Sequence, residues 1–202
     1  MSTTTLSNFT TSVFDAPAIV KKQRAFFNTG KSKSVEFRIE QLKKLRSLIV
    51  QNEKAITKAL YDDLRKSEFE AYATEVGIVL VELDDMLKNI QSWSKKQRVK
   101  TPLFHQLGTS WRYPEPYGVT YIISPWNYPF QLLIAPLIGA MGAGNTAVLK
   151  PSELAVNTSD LILKMISENF EEDYIKVVTG GVEESKAMLE QRFDYIFFTG
   201  GT

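Results

Sequence analysis

Cysteine is absent from the 202 residues, and His105 is the only histidine. The first absence excludes a disulfide framework and a thiolate metal site. The second excludes a histidine cluster within one chain, so no metal site is expected. As a catalytic base, His105 would need an orienting partner that the sequence does not identify, and it reads as a surface histidine. An excess of one charge is lacking too: 24 Lys and Arg against 23 Asp and Glu leave a formal net charge of +1. Nucleic-acid surfaces need a basic stripe, so no nucleic-acid partner is expected. The pairs Lys21-Lys22, Lys43-Lys44 and Lys95-Lys96 are scattered and read as solvated helix faces. No apolar run approaches the roughly 20 residues of a membrane span. The longest, Leu132 to Met141, is interrupted by Pro136 and Gly139. The start, Met1-Ser-Thr-Thr-Thr, has neither a basic patch nor an apolar core. No signal peptide is therefore expected, and the cytoplasm is the default compartment.

What is present is ordinary for a packed domain: 44% hydrophobic and 23% charged residues. Residues 1 to 14 are rich in Ser and Thr and read as a loose arm. A helix is expected from Ala16 to Asn28, ended by Gly30, then a loop over Lys31 to Lys33. Ser34 caps the next helix, whose apolar stripe is Ile39, Leu42, Leu45, Leu48 and Ile49. Asn52 is expected to cap a short helix with Ile56, Ala59 and Leu60 inward, and Asp62-Asp63 to form its solvated end. Ser67 and Glu70 fit a capping box before a long helix reaching Trp93, with Val76, Val79, Leu80, Leu83 and Leu87 on one side. Lys100 to Gly108 reads as a connection. Thr109 to Tyr113 reads as an edge strand, since Pro114 and Pro116 follow.

The texture changes at Gly118. Strands at Val119–Ile123, Ala147–Leu149, near Tyr174–Val178 and Tyr195–Phe198 alternate with helices at Phe130–Met141, Thr158–Asn169 and Val182–Gln191. The α/β class follows: a helical amino-terminal region, 1–105, then a partial Rossmann-like parallel sheet, 106–202, with right-handed crossovers. Within it, Gly118 to Pro129 holds the most informative loop. A buried strand breaks at Ser124-Pro125, a tight loop carries Trp126, Asn127 and Tyr128, and a helix begins after Pro129. Open α/β sheets build ligand sites in this way, at the carboxyl ends of strands. Gly139-Ala-Met-Gly142-Ala-Gly144 has the wrong order for the usual dinucleotide fingerprint, and no Walker A sequence occurs.

Four motifs occur in order: Pro125-Trp126-Asn127-Tyr128-Pro129; Gly142-Ala143-Gly144-Asn145; Val148-Leu149-Lys150-Pro151-Ser152-Glu153; and Phe198-Thr199-Gly200. Together they resemble the aldehyde dehydrogenase superfamily. The Asn-Tyr-Pro version and Leu64-Arg65-Lys66-Ser67-Glu68 look like its class 3, NAD(P)-dependent branch. The resemblance runs from about residue 17 to Thr202. It implies a much longer enzyme with a catalytic cysteine and a general-base glutamate downstream. The chain is therefore expected to be the amino-terminal portion of an enzyme that oxidises an aldehyde to a carboxylic acid, its 106–202 segment being an incomplete NAD(P)-binding unit. Alternatively, the chain by itself is a catalytically inactive nucleotide-binding or interaction fragment. The resemblance also implies a homodimer or homotetramer for the parent.

By resemblance Asn127 is the oxyanion donor, an amide N–H aimed at the oxygen that becomes negative under thiolate attack. From spacing alone it reads rather as a turn asparagine between prolines. Lys150 and Glu153 resemble the donor and acceptor that read two adenosine ribose hydroxyls. Glu153 favours NAD over a 2′-phosphate, while class 3 relatives often take both, so NAD or NADP is expected. Without the resemblance, Glu153 reads as a helix-start carboxylate and Lys150 as a surface lysine. Gly180, Gly200, Gly201 and Thr202 lie in turns where backbone approaches phosphate. Gly201 departs from the serine or asparagine often found in the family, which leaves only backbone contacts there. Ile123, Ser124, Pro125 and Trp126 are expected to pass beside the cofactor through backbone or packing contacts. Tyr128 and Tyr72 are candidates for the aldehyde pocket, with ordinary helix packing the alternative for Tyr72.

Overall fold

The computed structural model describes residues 14–201. The expected arm, apart from Phe14, and the phosphate-turn residue Thr202 lie outside the described residues.

Helix α1 spans Ala16–Asn28, with the Asp15 carboxylate accepting from the Ala18 amide. The chain reverses at Gly30, whose φ of 77° suits glycine. The expected loop over Lys31–Lys33 is a turn of 3-10 helix. Helix α2, Val35–Gln51, starts where Ser34 Oγ accepts from the Phe37 amide at 3.3 Å. Helix α3 covers Glu53–Leu64. Asn52 precedes it, but its amide does not cap it. The side chain instead donates back to the Leu48 carbonyl at 2.8 Å, closing α2.

The long helix up to Trp93 is present, but interrupted. Ser67 caps a short α4, Glu68–Ala71, then Tyr72–Val76 forms a π-helical turn, and α5 runs Gly77–Trp93. The wider turn absorbs one extra residue, so Glu75 and Val76 both point inward at 0% exposure. After α5, β1 (Gln97–Val99) pairs antiparallel with β2 (Ser110–Arg112) in a separate two-stranded ribbon. Strand β2 falls within the expected edge strand. Its partner went unseen because β1 is exposed at every position and shows no apolar alternation.

From Gly118 the elements are β3 (Val119–Ile123), α6 (Gln131–Ala143), β4 (Thr146–Lys150), α7 (Val156–Ser167), β5 (Ile175–Val177), α8 (Val182–Leu189) and β6 (Tyr195–Phe198). The four strands form one parallel sheet in the order β5-β4-β3-β6. Side chains alternate between its faces. Ile122 and Leu149 join the α6 and α7 side, in a core shared with Leu42, Leu45, Ile56, Leu60, Val79 and Leu83 of the helical region. Tyr121 and Val148 face the other way, against Val20 of α1 and Met188 of α8. Helix α6 touches the sheet on one side and α2 and α5 on the other, which is why its sequence is apolar almost all round. Among the described residues, no helix is long and apolar enough to cross a membrane.

Candidate functional site

The connections through α6 and α7 step from β3 outward to β4 and β5. The connection through α8 returns across the sheet to β6 on the other flank of β3. Neighbouring strands whose connections leave in opposite directions open a crevice at their carboxyl ends. Here that crevice lies between β3 and β6. Register brings Ile123 level with Lys150 on one side and Phe198 on the other. The loops beyond are tied to the sheet: the Ser124 amide donates to the Lys150 carbonyl at 3.2 Å, and the Thr199 amide to the Ile123 carbonyl at 3.1 Å. Ile123, Ser124, Lys150 and the turn beginning at Thr199 therefore share one sheet edge.

The loop after β3 leaves this edge. Ser124 is buried, and its hydroxyl has no partner among the described residues. Trp126, Asn127 and Tyr128 are exposed, between half-buried Pro125 and buried Pro129 and Phe130. Beneath them lies a buried ion pair. Lys66 Nζ sits 2.6 Å from Glu75 Oε1, with the two side chains 9% and 0% exposed. The same ammonium donates to the Asn127 carbonyl at 2.9 Å and lies 3.9 Å from the centroid of the Tyr128 ring. The other carboxylate oxygen, Glu75 Oε2, accepts from the amides of Phe130 at 2.9 Å and Gln131 at 3.2 Å, the first turn of α6. Those amides are thereby occupied, whereas the Asn127 side chain is an exposed donor with no partner among the described residues. Sequence reasoning missed Lys66 and Glu75 as site residues. The available signal was a carboxylate at the i, i+4, i+8 spacing of the buried Val79 and Leu83, a costly place for an unpaired charge.

At the end of β4, Lys150 is 2% exposed, unlike a surface lysine. Its ammonium donates to the Pro151 carbonyl at 3.0 Å and reaches Glu153 Oε2 at 3.4 Å, whose own side chain is 47% exposed. Donor and acceptor are thus side by side, the acceptor facing outward. Gly180 has a φ of +122°, and a Cβ there would fall 2.6 Å from the Glu184 carboxylate. Glu184 Oε2 accepts from the Gly181 amide at 2.8 Å, so that amide is already engaged. Backbone amides of Glu184 and Gly181 hold the Glu184 carboxyl below its ordinary range, with a smaller contribution from the Lys150 charge. Beyond β6, a Cβ on Gly200 would meet the Phe198 ring at 2.6 Å, whereas Gly201 has open space around it. Tyr72 is exposed, three residues before Glu75, with its ring beside Gly77.

Comparison with known proteins agrees with this architecture. The model of the aldehyde dehydrogenase family matches residues 4–202. The chain is 49% identical over 177 residues to 4,4'-diaponeurosporen-aldehyde dehydrogenase of Staphylococcus aureus, covering 88% of this chain and 39% of that protein. It is 44% identical over 183 residues to aldehyde dehydrogenase family 3 member A2 of Macaca fascicularis, covering 91% and 38%. The solved substrate-bound state of Staphylococcus aureus AldH superposes with a TM-score of 0.90 at 46% identity, over 92% of this chain and 41% of that one. The chain thus spans about two fifths of the length of the curated relatives it matches. Motifs, sheet topology and relatives converge: the chain belongs to the aldehyde dehydrogenase family.

Proposed function

We propose that the complete protein oxidises an aldehyde to a carboxylic acid with NAD or NADP, and that Asn127 is the oxyanion donor. The observation that carries this reading is the exposed Asn127 side chain on the loop that follows β3, a loop whose backbone is tied down from below. The nucleophile and general base that the family implies, a cysteine and a glutamate, would come from outside these residues, which contain no cysteine. When the thiolate adds to the carbonyl carbon, the carbonyl oxygen takes up negative charge. The Asn127 Nδ2–H donates to that oxygen. A donor already in place costs no reorganisation as charge develops.

The residues at the sheet edge fit a dinucleotide. Lys150 offers a donor and Glu153 an outward acceptor, the chemistry that two adjacent ribose hydroxyls require. Ser124 has a buried hydroxyl without a partner among the described residues. When bound, the dinucleotide supplies the hydride acceptor. The Glu153 carboxylate disfavours a 2′-phosphate, which weights the reading towards NAD. Ile123, Pro125, Trp126, Gly180, Gly200 and Thr202 complete the proposed cofactor contacts, and Tyr128 and Tyr72 the aldehyde pocket. We read the complete protein as a homodimer or homotetramer on the family resemblance, with the cytoplasm as its default compartment. Light scattering after size exclusion tests the assembly.

The deciding experiment follows reduction of NAD and of NADP by the complete protein with aliphatic and aromatic aldehydes. Asn127→Ala is expected to lower the rate of the chemical step by about 10²–10³-fold. An unchanged rate would remove Asn127 from its role. The absence of cysteine favours a second reading for the 202-residue chain alone, dinucleotide binding without turnover. Calorimetric titration of NAD into that chain separates binding from none.

A further inference from the structure

We propose that Lys66 and Glu75 are positioning residues, a buried charge clamp that fixes the backbone of the Asn127 loop so that its amide points at the reacting oxygen. This rests on the function proposed above.

The clamp is complete at the level of atoms. An ammonium has three donors. Those of Lys66 have three partners: Glu75 Oε1 at 2.6 Å, the Asn127 carbonyl at 2.9 Å and the face of the Tyr128 ring at 3.9 Å. Glu75 spends its second oxygen on the amides of Phe130 and Gln131. Residues 127, 128, 130 and 131 are therefore all held by two side chains. Both are brought inward by departures from regular helix. Arg65, with a φ of 58°, turns the chain at the end of α3 and sends Lys66 beneath the loop. The π turn at Tyr72–Val76 directs Glu75 into the interior beside Val76.

Stability alone does not account for this pair. Burying two charges is roughly neutral or unfavourable against an apolar pair of similar volume. What a charge pair adds here is aim. It grips the Asn127 carbonyl and leaves the Asn127 side-chain amide without a partner among the described residues. A group displaced by about 1 Å from its productive position loses on the order of 10²-fold in rate.

The test is a double-mutant cycle in the complete enzyme, read as the rate of the first turnover and the Kd for NAD. Lys66→Met is expected to slow the first turnover by roughly 10–100-fold and to leave the Kd for NAD within about twofold. In an Asn127→Ala background, Lys66→Met is expected to slow it by less than about threefold, because the group it aims is gone. If Lys66→Met alone fails to fold, Lys66→Met/Glu75→Gln removes the unpaired carboxylate while keeping an acceptor for Phe130 and Gln131, and replaces it in the cycle. A folded variant with unchanged turnover overturns the clamp, and so do losses that multiply with that of Asn127→Ala. A wild-type enzyme that oxidises no aldehyde, or an Asn127→Ala enzyme of unchanged rate, overturns the proposed function itself and this inference with it.

Discussion

Asp63 tests whether the helical region and the sheet are one folding unit, because it caps a helix it does not belong to. It lies at the end of α3. Its Oδ1 accepts from the Asn157 amide at 3.0 Å and from the Asn157 side chain at 2.8 Å, and its Oδ2 from the Thr158 amide at 2.8 Å. Helix α7 has no cap of its own: Ala155 stands at the cap position and offers no side-chain acceptor. Losing an N-cap costs about 0.5–2 kcal/mol. The carboxylate at the positive end of α7 adds about 0.3–1 kcal/mol, reduced here because Asp63 is part-exposed and screened. Asp63→Ala is therefore expected to cost ~1.5 kcal/mol at neutral pH, a fall of about 3–6 °C in Tm for a chain of this size. The pH dependence gives a second reading. Burial opposes ionisation of Asp63, but the hydrogen bonds from Asn157 and Thr158 together outweigh it and hold the carboxyl below its ordinary range. A depressed carboxylate stabilises the fold fully above its unfolded pKa of ~3.9, and that contribution is lost as pH falls through the folded value. Urea unfolding followed by circular dichroism, on wild type and Asp63→Ala at neutral pH and below about pH 3, measures both effects. The gap should be wide at neutral pH and narrow in acid. A variant within about 0.3 kcal/mol of wild type at neutral pH, or an equal gap at both, refutes the reasoning.

Gly144 and Gly139 make a matched pair within one segment. Gly144 has a φ of +91°, and its Cβ would fall 2.8 Å from the Ser32 carbonyl and 2.9 Å from Arg38 Nε. Gly144→Ala should cost about 2 kcal/mol or more in urea unfolding, and an effect near zero would contradict that packing. Gly139 is helical with nothing within 4 Å, so Gly139→Ala should stabilise by about 0.5–1 kcal/mol, and a loss would show that the space is not free. Burial pushes the Tyr121 phenol up to about 12. Stability from that group is present below its unfolded pKa of ~10 and is lost as pH rises through the folded value, so the protein should weaken steadily in strong alkali. Ultraviolet titration should show two buried phenols, Tyr121 and Tyr174, ionising well after the exposed ones, and Tyr121→Phe should reduce that late amplitude by one phenol. Simultaneous ionisation in the folded protein would contradict this. Asn127→Ala and the Lys66 cycle, with the outcomes given above, test the chemistry.

The centre of the parallel sheet is legible because β3 and β4 are buried on both faces. Val119–Ile123 and Thr146–Lys150 carry no polar alternation that a helix would share. Tyr195–Phe198 was found with its bounds unchanged, although all four residues are exposed, because aromatic and branched residues mark a strand regardless of cover. The Ser34 cap was legible because its bond spans only three residues. What escaped depends on distant partners. The amides that occupy Asp63 lie 94 and 95 residues away, so it looked like a solvated helix end. The Asn52 amide had two helix ends within reach, and residue type alone did not decide between them. The π turn was hidden because a 3.6-residue period has no place for an extra residue, and Glu75 and Val76 are adjacent yet both buried.

The same distinction separates Asn127 from what holds it. Its identity and its place between prolines are local, so the motif exposed it. Its orientation is not local. A donor that must meet a developing charge has to keep its own amide free, so no partner of that amide can fix it. The holding must come through the backbone, and backbone contacts leave no motif around the residue they serve. Here they come from Lys66 and Glu75, 61 residues before Asn127 and 55 before Phe130. Glu75 stands in a stretch that otherwise reads as scaffold, and the Leu64–Glu68 motif that contains Lys66 does not say what its ammonium meets. If the cycle shows that Lys66 acts through Asn127, the π turn belongs to the active site as much as the loop does. A substitution that regularises it, with no contact to substrate, should then slow the chemical step.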